Sequence, residues 1–82
     1  MKPEILEGLM EYRDHQRPPG DFLRAVLANN LREAACKADS ENAKDLAEIT
    51  AWCVWNLPGE CWGSPAKVGN WLHPSRPKYF AT

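Results

Sequence analysis

Prolines and glycines divide this chain into four segments, and no other sequence feature limits its fold as strongly. The breaks fall at Pro18-Pro19-Gly20, at Pro58-Gly59, and at Pro74 and Pro77. Proline fixes φ and has no backbone N–H, so helices and central strands rarely continue through it. Each segment between two breaks is therefore assigned its own secondary structure.

The first two segments carry apolar residues at the three- and four-residue spacing that is typical of helices. The first helix is predicted over residues 3–16, with Pro3 at its first position. The second is predicted over residues 21–38, with Gly20 or Asp21 as its N-cap. The apolar faces of these two helices are Ile5, Leu6, Leu9, Met10 and Tyr12, then Leu23, Val26, Leu27, Leu31 and Ala34.

Asn29 and Asn30 interrupt the second of these apolar patterns. Asparagine is a mediocre helix former. Asn30 also lies near the apolar face, where a polar group needs a hydrogen-bond partner. We expect a structural hydrogen bond from this position to a loop or a neighbouring chain, and a ligand contact is the alternative.

The last two segments are also predicted to be helical. The third helix extends over residues 40–57, with Ser40 as its start signal, and Pro58 ends it. Its apolar face is formed by Leu46, Ile49, Cys53 and Leu57. The fourth helix is short, with Ser64 as its N-cap and Pro65 as its first residue. Its inward side chains are Val68, Trp71 and Leu72.

These segments together predict an all-α fold. We expect a small bundle of three main helices, a short C-terminal helix and an extended tail over residues 74–82, in a single domain spanning residues 1–82. Trp52 and Trp71 are expected to add bulk to the core, whereas Trp62 is expected to be exposed in its loop.

Composition restricts the function classes. The chain has 82 residues, of which 10 are alanine, and a formal net charge of -1. Near-neutral charge argues against general nucleic-acid binding and against polybasic membrane binding. The small number of large apolar side chains predicts a homo-oligomer. No segment approaches the roughly 18 apolar residues of a membrane span, and three cysteines make a poor disulfide framework, so a cytoplasmic setting is expected.

The stretch from Trp62 to Lys67 is the most informative for function. A helix N-terminus presents unpaired amide N–H groups and a partial positive charge. Gly63 allows a ligand to approach the backbone, Ser64 adds a hydroxyl and Lys67 adds a full charge, while Trp62 could stack on an attached base. The alternative is an ordinary Ser-Pro helix start whose loop is held by a buried tryptophan.

Charge along the chain favours the first of these interpretations. Residues 1–60 hold 7 basic and 11 acidic side chains, a sum of -4, whereas residues 61–82 hold 3 basic side chains and no acidic ones. We therefore expect an anionic, nucleotide-like ligand. The residues predicted to hold it are Trp62, Gly63, Ser64 and Lys67, with Arg24 or Arg76.

Three arginines, Arg13, Arg17 and Arg24, flank the first break. Surface arginines paired with nearby carboxylates are expected there, and an anion-binding cluster is the alternative.

Signals for catalysis are weak. His15 and His73 have no partners at the spacing of zinc ligands, and no phosphate-binding loop, dinucleotide fingerprint or zinc-peptidase motif is present. We expect no enzyme activity, no catalytic residues, no metal and no cofactor. A small hydrolase using a Cys61–His73 pair is the remaining alternative.

Two stretches, Phe22 to Ala34 and Cys61-Trp62-Gly63-Ser64-Pro65, resemble a group of small, uncharacterised tailed-phage and prophage proteins. The resemblance covers roughly residues 18–73. It implies a phage accessory protein that acts in the cytoplasm of a bacterial host, and it carries no known active site. By analogy with other small phage proteins, such a chain could sequester a host nucleotide immune signal. The alternatives are an inhibitor that binds a host defence protein, and a structural accessory of the phage particle.

Overall fold

Six helices occupy the part of the chain that the structure describes, which is residues 1–73 of a computed structural model. They are α1 (Pro3–His15), α2 (Asp21–Leu27), α3 (Leu31–Lys37), α4 (Ser40–Lys44), α5 (Leu46–Asn56) and α6 (Pro65–Leu72). Residues 1–73 contain no strand. The all-α fold is therefore confirmed, and the predicted extended tail over residues 74–82 lies outside the described residues.

The second predicted helix is divided into α2 and α3. Asn29 has a left-handed backbone with φ of 61°, which α-helical hydrogen bonding does not accommodate. Asn30 follows as the N-cap of α3, and its side-chain oxygen accepts the Glu33 amide N–H at 3.1 Å. A structural hydrogen bond therefore forms at Asn30, but its partner lies in the first turn of the same helix rather than in a loop or a neighbouring chain, and the residue is exposed.

The break at Asn29 also changes the predicted apolar face. Leu31 was expected to continue the face of Leu23 and Leu27, but it is 69% exposed. The expectation is wrong because it assumed one continuous helix. Leu31 instead begins α3, which does not follow the helical register of α2, while Ala34 is buried.

The third predicted helix is divided into α4 and α5 at Asp45. Its predicted start signal was Ser40, but the N-cap is Asp39, whose carboxylate accepts the Asn42 amide N–H at 2.8 Å. A carboxylate at an N-cap also interacts favourably with the helix dipole, which explains the preference for Asp39 over its neighbour.

The core lies around α2, in which five of seven residues are buried. Leu9 and Tyr12 of α1 are fully buried against it. A Cβ built on Gly8 would lie 3.1 Å from Leu23 Cδ1, so glycine at this position permits the close approach of α1 and α2. The other helices contribute Ala34, Ile49, Cys53 and Val68, and the loop before α6 contributes Leu57 and Cys61.

The tryptophans differ in their contact with this core. Trp52 and Trp71 are half-buried and pack against it, which confirms their expected role. Trp55 is 84% exposed, the highest exposure among the large hydrophobic side chains of residues 1–73. Within residues 1–73, no helix is both long and apolar enough to span a membrane.

Candidate functional site

Two hydrogen bonds position the loop between α5 and α6, and a third positions α6 itself. The Tyr12 hydroxyl donates to the Cys61 carbonyl oxygen at 2.6 Å, and the Gly63 amide donates to the Leu27 carbonyl oxygen at 2.7 Å. Gly63 has φ of +111°, a backbone conformation that favours glycine. The indole N–H of Trp71 donates to the Tyr12 carbonyl oxygen at 2.7 Å, which holds α6 on α1.

Ser64 is the N-cap of α6, as predicted, and its hydroxyl oxygen accepts the Lys67 amide N–H at 3.2 Å. Because Gly63 donates its amide to Leu27, two of the amides near this helix start are satisfied by the chain itself. The expectation that the helix start presents these amides to an anion is wrong for these two groups. Backbone donors therefore contribute less to the candidate site than side chains do.

Trp62 is half-buried rather than fully exposed, and it packs against the core. Its indole lines a cavity of ≈ 150 Å³ between α2, α3 and α5. Asn29, Asn30 and Thr50 supply polar atoms to this cavity, and its apolar lining includes Leu31. The two asparagines carry more hydrogen-bonding groups than the single N-cap contact uses. The cavity therefore combines an aromatic wall with amide and hydroxyl groups.

Lys67 lies next to the tryptophan loop. A Cβ built on Gly63 would be 3.9 Å from Lys67 Nζ, so the ammonium group stands over that glycine. The Lys67 side chain is exposed, and among residues 1–73 no carboxylate forms an ion pair with it. The structure thus brings together four of the predicted site residues: Trp62, Gly63, Ser64 and Lys67.

The two remaining predicted residues are not part of this arrangement. Arg24 lines a different groove of ≈ 270 Å³ between α2 and α3, together with Asp21 and Lys37. That groove carries both charges, and Lys37 Nζ lies 3.9 Å from an Asp21 carboxylate oxygen. Arg76 lies outside the described residues.

Arg13 and Arg17 are paired with carboxylates, as expected, whereas Arg24 forms no ion pair among residues 1–73. Arg13 Nε donates to Asp14 at 2.8 Å, and the guanidinium group lowers the pKa of that carboxyl group. Arg17 Nε lies 3.0 Å from a Glu11 carboxylate oxygen.

The buried thiols differ from catalytic cysteines. Burial raises the pKa of Cys61 from its ordinary value of 9.0 to about 11, and that of Cys53 to about 12. Both side chains are fully buried. A nucleophilic cysteine needs the thiolate form and access to substrate, and both are disfavoured here.

A second surface was not predicted from the sequence. Trp55 is 84% exposed, Leu31 69% and Val54 57%. They surround the outer face of α5, where Ala47 and Ala51 line a cavity of ≈ 650 Å³. We call these five side chains the α5 surface. The sequence did carry a signal for this surface, because α5 is apolar on nearly all sides. Such a helix buries more than one of its faces.

A comparison with protein families, curated proteins and solved structures finds no match for this chain. Function is therefore inferred from the residues and their geometry.

Proposed function

We propose that this chain binds an anionic, nucleotide-like ligand without chemical turnover. The observation that carries the proposal is the exposed ammonium of Lys67 over Gly63, directly after Trp62 in the chain, whose side chain lines a cavity. Its resemblance to tailed-phage proteins favours a host nucleotide immune signal as the ligand, acting in the cytoplasm of the host.

The cavity supports binding of a base. Aromatic side chains stack on nucleobases and contribute about 1–3 kcal/mol for each base. The amide of Asn29 and the hydroxyl of Thr50 provide hydrogen-bonding groups at the edge of such a ring. The volume of ≈ 150 Å³ suits a ring system alone. Whole ligands of drug size occupy sites of about 300 Å³ or more, so the sugar and phosphate would remain outside.

The phosphate would then lie near Lys67. Its ammonium is a compact charge with three donors, which suits a phosphate oxygen at an exposed position. Because two amides of the loop are occupied, this side chain supplies the main positive charge of the site. Binding should therefore weaken as salt concentration rises.

Titration with nucleotides tests the proposal. We expect cyclic or linear nucleotides to quench tryptophan fluorescence and to raise the melting temperature of the protein. Lys67→Ala should weaken nucleotide binding by about tenfold, while binding of the matching nucleoside stays unchanged. Lys44→Ala, which removes an exposed lysine of α4, is the matched control and should retain wild-type affinity.

Asn29→Gly separates the base contact from the charge contact. Glycine keeps the left-handed backbone at this position and deletes only the amide side chain. We expect it to weaken nucleotide and nucleoside equally. The proposal fails when no nucleotide shifts the melting temperature, or when Lys67→Ala and Lys44→Ala bind alike.

A second candidate function rests on the α5 surface. We propose, as the alternative, that the chain inhibits a host defence protein by binding it through Trp55 and its neighbours. Exposed apolar patches of this kind mark protein-binding sites. This alternative predicts that Trp55→Glu, and not Lys67→Ala, abolishes the biological effect.

A further inference from the structure

We propose that the α5 surface joins two copies of this chain, which pair about a twofold axis with their α5 helices antiparallel. The inference does not depend on nucleotide binding, because Leu31 is the one residue of the α5 surface that also lines the Trp62 cavity. The α5 surface is the same surface on which the second candidate function rests, and here its partner is a second copy of this chain. The experiment below distinguishes this partner from a different protein.

The shape of the α5 surface suits contact with a second copy of itself. A cavity of ≈ 650 Å³ is lined by the small residues Ala47 and Ala51, and the exposed side chain of Trp55 projects from the same helix one turn after Ala51. In a twofold pair the same patch meets itself, so each projection must find a recess on the same face. With the helices antiparallel and crossing at Ala51, Trp55 of one copy lies opposite Ala47 of the other. The large side chain thus faces a small one at both ends of the contact.

The small side chains of α5 allow the α5 helices of the two copies to lie close together. Alanine at the crossing point allows two helix axes to approach to about 8 Å, the short end of the usual range. At this separation Val54 and Leu31 also reach the opposing copy. The arrangement would remove from water the three most exposed large apolar side chains of the described residues.

The exposed area of the α5 surface is large enough for a contact between two copies. A tryptophan exposes up to about 200 Å² of surface that can be buried, and Trp55 is 84% exposed. Together with Leu31, Val54 and the alanines, the patch offers roughly 600 Å² on each copy, or roughly 1,200 Å² in the pair. Because this total assumes complete burial and lies at the lower limit of specific interfaces, a weak dimer is expected.

The charges at the two ends of α5 are complementary in an antiparallel pair. The last turn of α5 has no basic side chain, so its carbonyl groups carry uncompensated partial negative charge. Lys44 lines the opposite end of the same cavity. In the antiparallel pair, Lys44 of one copy lies beside the C-terminus of α5 in the other. This complementarity favours the antiparallel over the parallel arrangement.

Sedimentation equilibrium of the full chain tests the inference between roughly 1 µM and 1 mM. The monomer has a mass of 9.3 kDa, and we expect a concentration-dependent rise to twice that value. Trp55→Glu should weaken association at least tenfold, because it places a charge in an apolar contact. Met10→Glu is the matched control, since Met10 is 40% exposed on α1, outside the α5 surface, and it should dimerise like the wild type.

Ala51→Glu gives a second, independent disruption at the crossing point, and circular dichroism verifies that each variant keeps its helices. A wild-type chain that stays monomeric throughout this range overturns the inference, as does equal association of the Trp55 and Met10 variants. A monomer that binds another purified protein only when Trp55 is present supports the second candidate function and excludes the dimer. Failure of nucleotide titration leaves these outcomes unchanged.

Discussion

Tyr12 connects three parts of the chain at the residue scale. Its hydroxyl donates to Cys61 at 2.6 Å, its carbonyl accepts from Trp71, and its ring lies 6.4 Å from the Trp71 ring centroid. Burial raises the pKa of the phenol above its ordinary value of 10.0, so the hydroxyl remains protonated and can donate. One residue therefore holds both the loop before α6 and α6 itself on α1, the first through its hydroxyl and the second through its backbone carbonyl.

Tyr12→Phe should lower the free energy of unfolding by about 1–2 kcal/mol. The substitution keeps the ring and leaves the buried Cys61 carbonyl without its donor. Urea denaturation measures the change. Thr50→Val is the matched control, because it removes an exposed hydroxyl that donates to Leu46 at 2.8 Å, and it should change stability by less than about 0.5 kcal/mol. Equal losses in both variants would show that the Tyr12 hydroxyl has no special role.

Stability should fall with pH above about 9. The thiols of Cys53 and Cys61 have an ordinary pKa of 9.0, which burial raises to about 12 and about 11 in the folded chain. The unfolded chain therefore releases these protons first, and each group reduces stability by at most about 1.4 kcal/mol per pH unit. Their contribution is complete below pH 9 and is lost between pH 9 and 12.

Denaturation at a series of pH values measures this slope. Cys61→Ala lowers stability at every pH through lost packing, but it should make the alkaline fall shallower. A slope that is identical in the variant and the wild type would contradict the assignment.

At the scale of elements, the asparagine pair determines where α2 ends and α3 begins. Asn29 adopts the left-handed conformation, and Asn30 caps α3 by accepting the Glu33 amide N–H. Both roles suit a short polar side chain that competes with helical backbone bonds. The pair thus divides what would otherwise be one helix, and it exposes Leu31, which belongs to the α5 surface.

Asn30→Ala should lower the free energy of unfolding by about 1 kcal/mol through loss of the N-cap. Asn30→Asp should retain the cap, since a carboxylate accepts the same amide N–H and favours the helix N-terminus. Thermal denaturation of the two variants, side by side, measures the difference. A similar loss in both would mean that another property of Asn30 matters.

The helical segments could be predicted from the sequence because proline and glycine breaks and apolar periodicity are local signals. The Ser64 cap and the buried face of α5 were predicted for the same reason. The breaks at Asn29 and Asp45 were not predicted. Asparagine and aspartate also occur within helices, so only tertiary contacts decide whether a helix ends at these residues. The occupied amide of Gly63 could not be foreseen either, because its acceptor, Leu27, belongs to a distant helix.

At the scale of the whole molecule, the three thiols differ in how far the protein must unfold before a reagent can reach them. Cys36 is exposed, whereas Cys53 and Cys61 are fully buried. We expect Cys36 to react rapidly with a disulfide reagent. Cys53 and Cys61 should react at least about a thousandfold more slowly, because the reagent reaches them only when the whole chain unfolds. Cys36→Ser should remove only the fast phase. Rapid reaction of all three in native buffer would contradict the described core.

The contact between Tyr12 and Trp71 joins positions 59 residues apart, whereas each helix forms from neighbours in the chain. Contacts between distant positions carry the largest chain-closure entropy, so they tend to form after the local ones. Docking of α6 should therefore be the slow event in refolding. In a variant that keeps Trp71 as its one tryptophan, the emission would record that step in a stopped-flow experiment, after the helical signal has already developed.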